Sequence, residues 1–501
     1  MVSMTRNDQS TQGNNSRTQE ENSRSGSPAV AEVPDCSYPR FLGTLRDVVS
    51  RSYRGLSLTP KYKPLYMSRF LEEKFLVVAD LEAVHEVLDN SSVFVNKDAA
   101  PSSMRELFGE ESLFTMDGEE HARQRSIMRP AFSAVLRQSY ISTAQDSSRR
   151  MLDYISECMR SGRKFDTHRV FEQHFISIII QMTTGRFLRD SSLSESEFNH
   201  LASLYTDFNK GLIALPFFPN RLRAIKAREE LMMEYEKKIE ETLVRSKEEI
   251  DLLRDTKGIE GGSSDIKFDV LTAMCAASSL STGSRIDAKS HRELRTMSQL
   301  LLLLWFAGFT TQTNTLMNCV LEIGLNDKLR KSLVEEQQVV MTKNGNELKV
   351  SEVLREMPLM TSFVHEVLRM YPPVPTWFKR ASQDTDILGF TVKKGQRVML
   401  DLAGTMRDEA YFEDGQKLIP ERFMNNPRIE KYKTTPFGGA GNAHYCLGSQ
   451  LALLNLKATM CTMLREYDLE LDQNQSKKHF WIPEVLPASG VRFSRMERRA
   501  A

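Results

Sequence analysis

The sequence predicts an α+β fold dominated by helix, with a minor sheet assembled from both ends of the chain. Between about residues 118 and 370, apolar residues recur at helical spacing. Alternating segments lie near residues 65–78, at "TDILGFTVKKGQRVML" (385–400) and at "VRFSRM" (491–496). No internal repeat or second domain boundary interrupts this order. With 501 residues, 40% of them apolar, and a formal net charge of +1, the chain can bury a large core and carries no charge excess that points to nucleic acid.

Residues 1–33 contain no apolar segment and read as a disordered tail, without a secretory signal or an N-terminal anchor. Their Ser, Thr, Asn and Arg content leaves organelle import as an alternative to a cytoplasmic address, with Asp8, Glu20 and Glu21 counting against it. A single domain is expected over residues 34–501. Its opening "KPLYMSRFLEEKFLVVADLEAVHEVL" reads as two strands around the "LEEK" turn, then a helix capped at Ala79-Asp80. Breaks in the helical region fall at "FPNR" and at the connector "DTKGIEGGSSD" (255–265). The "KKG" of residues 393–395 suggests a hairpin turn. The longest apolar run, "LLLLLWFAGF" (300–309), is well short of the roughly 20 residues that span a bilayer. Peripheral membrane contact stays open. Six scattered cysteines show no CxxC spacing, which argues against a disulfide framework or a zinc ribbon and fits a reducing compartment.

Three segments carry chemistry. In "TTPFGGAGNAHYCLGSQLALLNLKATM" (434–460), Cys446 stands between a glycine-rich loop and a helix start, where N–H groups and the helix dipole favour a thiolate. Gly438, Gly439 and Gly441 let a large flat ligand approach the backbone; a buried free cysteine at a turn is the alternative. "MPLMTSFVHEVLRMYPPVP" sets Glu366 and Arg369 three apart on one helix face. "SQLLLLLWFAGFTTQTNTLMNCVLEIG" reads as a buried central helix with a slim patch at Ala307 and Gly308, and with Thr311 placed to bond the Ala307 carbonyl.

In their order and spacing these segments resemble the cytochrome P450 superfamily, the haem-thiolate monooxygenases, from about residue 34 to the end. The resemblance implies haem b (iron protoporphyrin IX) with Cys446 as axial ligand of the iron, and Phe437 and Gly448 beside it. "GEEHARQRSIMRPAF" (118–132) implies His121 and Arg125 as propionate partners, joined by His444 and by Arg380 in "FKRASQD". Arg422 in "PERF" joins Glu366 and Arg369 in a structural ionic network. Thr311 falls at the catalytic threonine, with Thr310, Ala307 and Gly308 in the oxygen-binding groove.

Two features depart from that pattern. Eight residues separate Phe437 from Cys446 where the family has six, and Asn442 replaces the usual glycine, a position where Asn tolerates left-handed backbone. Thr310 replaces the acid that usually precedes the threonine. The resemblance implies O2, a separate electron donor (an NADPH-dependent reductase or a ferredoxin) and a lipophilic substrate. Lipid, terpenoid or sterol-like ligands suit the segments Phe108 to Phe114, Trp305 to Phe309, "VPTWF" (374–378) and Leu486 to Ser489. Arg123, Lys431 and Lys433 are candidates for donor docking. The alternatives are a hydroperoxide or endoperoxide isomerase or dehydratase of the same fold, and a haem sensor or carrier without turnover.

Overall fold

A computed structural model describes residues 34–35, 63–70, 73–109, 111–132, 137–184, 195–211, 219–255, 269–278, 288–424, 434–439, 441–480 and 485–499. The expected N-terminal tail, Cys36, Lys431, Lys433 and all but the first residue of the 255–265 connector lie outside these residues.

The strands β1 (Leu65–Phe70) and β2 (Glu73–Val78) pair antiparallel as expected. Asp80 then ends the extended run: its carboxylate accepts from Ala83 N at 3.0 Å and caps the helix Leu81–Asp89. Such a cap is worth about 1 kcal/mol. With β3 (Phe94–Val95), β4 (Thr376–Ala381) and, after β5 (Thr385–Ile387) and β6 (Phe390–Val392), β7 (Arg397–Asp401), these strands form one sheet in the order β1-β2-β7-β4-β3. The sheet therefore joins the N-terminal strands to those of residues 376–401, through the parallel register of Leu76 with Val398, whereas "VRFSRM", expected to share a sheet with the N-terminal strands, pairs elsewhere.

The predicted hairpin turn moves. β5 and β6 close on Leu388 and Gly389, both at positive φ (51° and 78°), whereas the "KKG" segment leads β6 away to β7 in the larger sheet. Two consecutive left-handed residues match the twist of a tight hairpin, which a Lys-Lys pair does not supply. At the C-terminus, β8 (Tyr467–Leu471) pairs with β11 (Phe493–Arg498), and β9 (His479–Phe480) with β10 (Leu486–Pro487).

Between the sheets the chain is helical, and "FPNR" marks the start of the helix Pro219–Arg245. The central helix Ala288–Gly324 runs through the main core, against the helices Thr167–Thr184 and Pro219–Arg245. No helix among the described residues is long and apolar enough to cross a membrane. The helix Pro358–Met370 and the helix Ser449–Glu466 complete the scaffold around a cavity of about 400 Å³.

Candidate functional site: a thiol facing an apolar cavity

The cysteine loop closes despite its extra length. Cys446 N donates to Phe437 O at 3.0 Å, and both residues line the cavity. Gly438, Gly439 and Gly441 take φ of 87°, 79° and 98°, so the left-handed backbone falls on glycines, where it costs least. Asn442 does not adopt it. Its carboxamide instead staples the loop, donating to the carbonyls of Gly438 and Gly439 and accepting from His444 N at 2.7 Å.

Two residues separate Cys446 from the helix Ser449–Glu466, and its side chain is exposed only in the sense that it faces the cavity. Protein packs around the sulfur elsewhere. This burial pushes the thiol up, while the N–H groups of Gly448 and Ser449 and the charge of Arg125 act to lower it. The groups expected to favour a thiolate are therefore present but outweighed, and a metal that replaces the proton would tip the balance. At Gly448 a Cβ would lie only 3.6 Å from the Phe132 ring and 4.0 Å from the Cys446 sulfur. The other described cysteines are free and buried.

Basic side chains gather beside the loop. The His121 and His444 rings lie 4.0 Å apart, and Arg125 Nη2 donates to Tyr445 O at 2.8 Å. His444 is held by Asp117 (3.0 Å) and Asn96 (2.9 Å). Burial brings the His121 imidazole down to about 4, with His444 and Arg125 adding to the effect. Asp117, although burial works to raise it, is held low by His444 and by the N–H groups of Asn96 and Lys97.

Arg380 is not in this cluster. Its guanidinium pairs with Asp98 at 3.3 Å and is about a third exposed, and it does not line the cavity. Strand alternation is the reason, since neighbouring residues of β4 face opposite ways. The buried position belongs to Lys379, which is also absent from the cavity lining but is 1% exposed and acts electrostatically on both His121 and His444. Burial lowers its ammonium to about 8, against the pull of Asp117. Among the described residues the Lys379 ammonium has no hydrogen-bond partner. The sequence signal was available in the period-two register of "WFKRA", which had to be anchored on the buried Ala381, two residues from Lys379 on the same face.

The central helix presents Ala307, Gly308, Thr310, Thr311 and Gln312 to the same cavity. Thr311 Oγ1 donates to Ala307 O at 2.8 Å, and Gln312 Nε2 to Gly308 O. Of the expected substrate segments, Phe108, Phe114, Phe306, Val374 and Trp377 line the cavity. Trp305 and Phe309 do not: Trp305 stacks on Tyr205 at 5.3 Å, and Phe309 meets the same ring at 5.5 Å. Helical geometry turns them away, because they lie on the opposite side of the turn from Ala307. Pro487 to Ser489 are likewise absent from the described lining.

Glu366, Arg369 and Arg422 assemble as expected. The Glu366 carboxylate accepts from Arg369 Nε (2.7 Å) and Nη2 (2.8 Å), from Arg422 Nε (3.0 Å) and from Ile419 N (2.8 Å). Arg369 also reaches the carbonyls of Met406, Gly415 and Lys417, and both members of the Glu366–Arg369 pair are fully buried. Of the docking candidates, Arg123 is engaged by Glu120 and Glu293 at 2.8 and 3.0 Å.

A thiol, a bank of basic side chains and apolar walls around one cavity fit a flat apolar group with an anionic edge and a thiophilic metal, which defines a haem-thiolate protein. Comparison with known proteins agrees. Residues 54–491 match the family Cytochrome P450. Putative cytochrome P450 120 of Synechocystis sp. is 24% identical over 466 residues, covering 90% of this chain and 94% of its own length. Cytochrome P450 26B1 of Danio rerio is 24% identical over 446 residues, covering 86% and 80%. The solved structure of retinoic acid bound cyanobacterial CYP120A1 shares the fold with a TM-score of 0.73 at 22% identity, over 94% of this chain and all of that one. The chain belongs to the cytochrome P450 family: it is a monooxygenase, an oxidoreductase that uses haem, O2, a redox partner and a substrate.

Proposed function

We propose that this monooxygenase inserts one atom of O2 into a lipophilic substrate, of lipid, terpenoid or sterol type, with electrons from a separate donor protein, an NADPH-dependent reductase or a ferredoxin. The observation that carries the reading is the Cys446 side chain facing the same cavity as Thr311 and the ring cluster of Phe108, Phe114 and Phe306. Relatives named as cytochromes P450 and a structural neighbour bound to retinoic acid support a lipophilic ligand. The enzyme is taken as one domain over residues 34–501, preceded by a tail of residues 1–33.

In this reading Cys446 ligates the haem iron, Gly448 and Phe437 fix the space around the sulfur, and His121, Arg125, His444 and Lys379 take the propionates. Lys379 replaces Arg380 in that role. When bound, haem supplies the one-electron and oxygen chemistry, which a thiolate ligand biases towards O–O cleavage. Glu366, Arg369 and Arg422 tie the helix Pro358–Met370 to the segment from Met406 to Arg422 and take no part in the reaction.

Proton supply rests on neutral side chains. Thr311 keeps its hydroxyl on Ala307 O, while Thr310 Oγ1, where the family places an acid, has no partner among the described residues. A hydroxyl both accepts and donates, so Thr310 can accept a proton from one cavity water while donating its own to the next, without changing its own charge.

The test is reductant-dependent O2 consumption over a panel of lipophilic compounds, with a hydroperoxide challenge in parallel. Oxygenated product that requires both O2 and reductant supports the reading. Rapid rearrangement of a hydroperoxide without reductant would support an isomerase of the same fold instead.

A further inference from the structure

Several residues that line the cavity carry hydroxyls, yet most of these are turned onto the chain's own carbonyls. Thr115 Oγ1 donates to Gly109 O and Ser112 O at 2.9 and 3.0 Å, and Thr183 to Ile179 O at 2.7 Å. Thr311 and Thr315 do the same towards Ala307 and Thr311, each at 2.8 Å. A hydroxyl already donating to backbone has no proton left for a ligand. The buried lining atoms without a partner among the described residues, Thr310 Oγ1, Gln312 Oε1, Asn96 Oδ1 and Asn455 Oδ1 and Nδ2, all belong to neutral side chains.

Charge is confined to one place. Arg125 is the one permanently charged side chain among the described lining residues, and with His121 and His444 it stands by the cysteine loop. The helix Ser102–Phe108, which carries Phe108 into the cavity, also bears Arg105, but that guanidinium is paired with Asp98 at 2.9 Å and lies outside the lining. Arg228, packed on Gly109 beside Glu229, also lies outside it. What remains is mostly aliphatic and aromatic, with a ring cluster in which Phe108 meets Phe114 and Phe306 at 5.3 and 5.2 Å and Phe114 meets Trp377 at 6.0 Å.

We infer that the substrate of the proposed monooxygenase is an uncharged lipophile, whose polar group is a hydroxyl, ketone or ester and not an ionised carboxylate. The inference rests on the reading of this cavity as the substrate site. A carboxylate placed among the described walls away from Arg125 would lose its hydration and meet no countercharge there, whereas a neutral polar group loses far less. An acid can enter as its protonated form, at a cost of tenfold in apparent affinity for each pH unit above its own pKa.

The experiment titrates the haem-loaded enzyme with matched acid, alcohol and methyl ester of a straight-chain, an isoprenoid and a steroid skeleton, following the shift of the haem absorption band on binding. Reduced carbon monoxide spectra of the same samples test the haem-thiolate reading separately. On the skeleton that binds, alcohol and ester are expected to bind at least tenfold more tightly than the acid at pH 8. The acid gains about tenfold per unit as pH falls to 6, while its neutral partners do not change. An acid that binds at pH 8 as tightly as its ester, or silence from every skeleton in a sample with an intact carbon monoxide band, would overturn the inference.

Discussion

Lys379 and Arg380 are adjacent on β4, yet Lys379 is 1% exposed and acts on the His121–His444 pair, while Arg380 faces outward to Asp98 at 3.3 Å. Their substitution should separate the two roles. Lys379→Met is expected to weaken haem retention by ten- to a hundredfold, the scale of a lost charge-assisted hydrogen bond of about 1.5–3 kcal/mol. Arg380→Gln breaks an exposed pair worth about 0–1 kcal/mol and leaves retention within a few fold. Haem transfer to an acceptor apoprotein measures both, and Lys379→Arg should restore retention. A loss confined to Arg380→Gln would return the role to Arg380, and equal losses would contradict the separation.

The buried Glu366–Arg369 pair should be intolerant of single changes. Arg369→Ala leaves Glu366 with only Arg422 as a cationic partner, and an uncompensated buried charge costs about 3–5 kcal/mol. Denaturant unfolding should show a loss of that size together with low haem content. Removing both side chains should cost less than the sum of the two single changes.

Acid should destabilise the fold through His174, which lies wholly inside the core with Ser147 at 2.9 Å on one ring nitrogen and Thr459 at 3.0 Å on the other. Burial brings this imidazole down to about 3. A histidine whose folded pKa is depressed gives stability that is fully present above its unfolded pKa of about 6.5 and is lost as pH falls towards 3. Unfolding measured from pH 7 to pH 4 should therefore lose up to a few kcal/mol through this group. His174→Gln should be less stable at pH 7 but show a flatter acid limb; an unchanged slope would show that other groups control it.

Asn442 holds the lengthened cysteine loop by bonds to three backbone groups. Asn442→Ala is expected to cost about 1–3 kcal/mol of loop stability and to raise the rate at which the thiolate-ligated carbon monoxide complex decays. A decay rate equal to that of the parent protein would show that the three glycines suffice to shape the loop.

Much of this site was legible in the sequence because its parts are local. The helix start after Cys446, the Asp80 cap and the three-residue spacing of Glu366 and Arg369 depend on neighbours within one turn. The substrate walls were harder, since a run such as Trp305 to Phe309 is apolar on every side, and only packing against Tyr205 decides which rings leave the cavity. The same limit applied to Lys379 and Arg380, because either cation suits a propionate and the choice depends on strand register. Asn442 was singled out for its backbone tolerance, yet it acts through its side chain, which depends on where the loop folds back.

Haem-thiolate ligation by Cys446 is tested most directly by the absorption spectrum of the reduced protein with carbon monoxide, recorded for the wild type and for Cys446→Ser. The account predicts a long-wavelength Soret band in the wild type that vanishes in the variant. Persistence of that band in Cys446→Ser, or its absence from wild type loaded with haem, would contradict it.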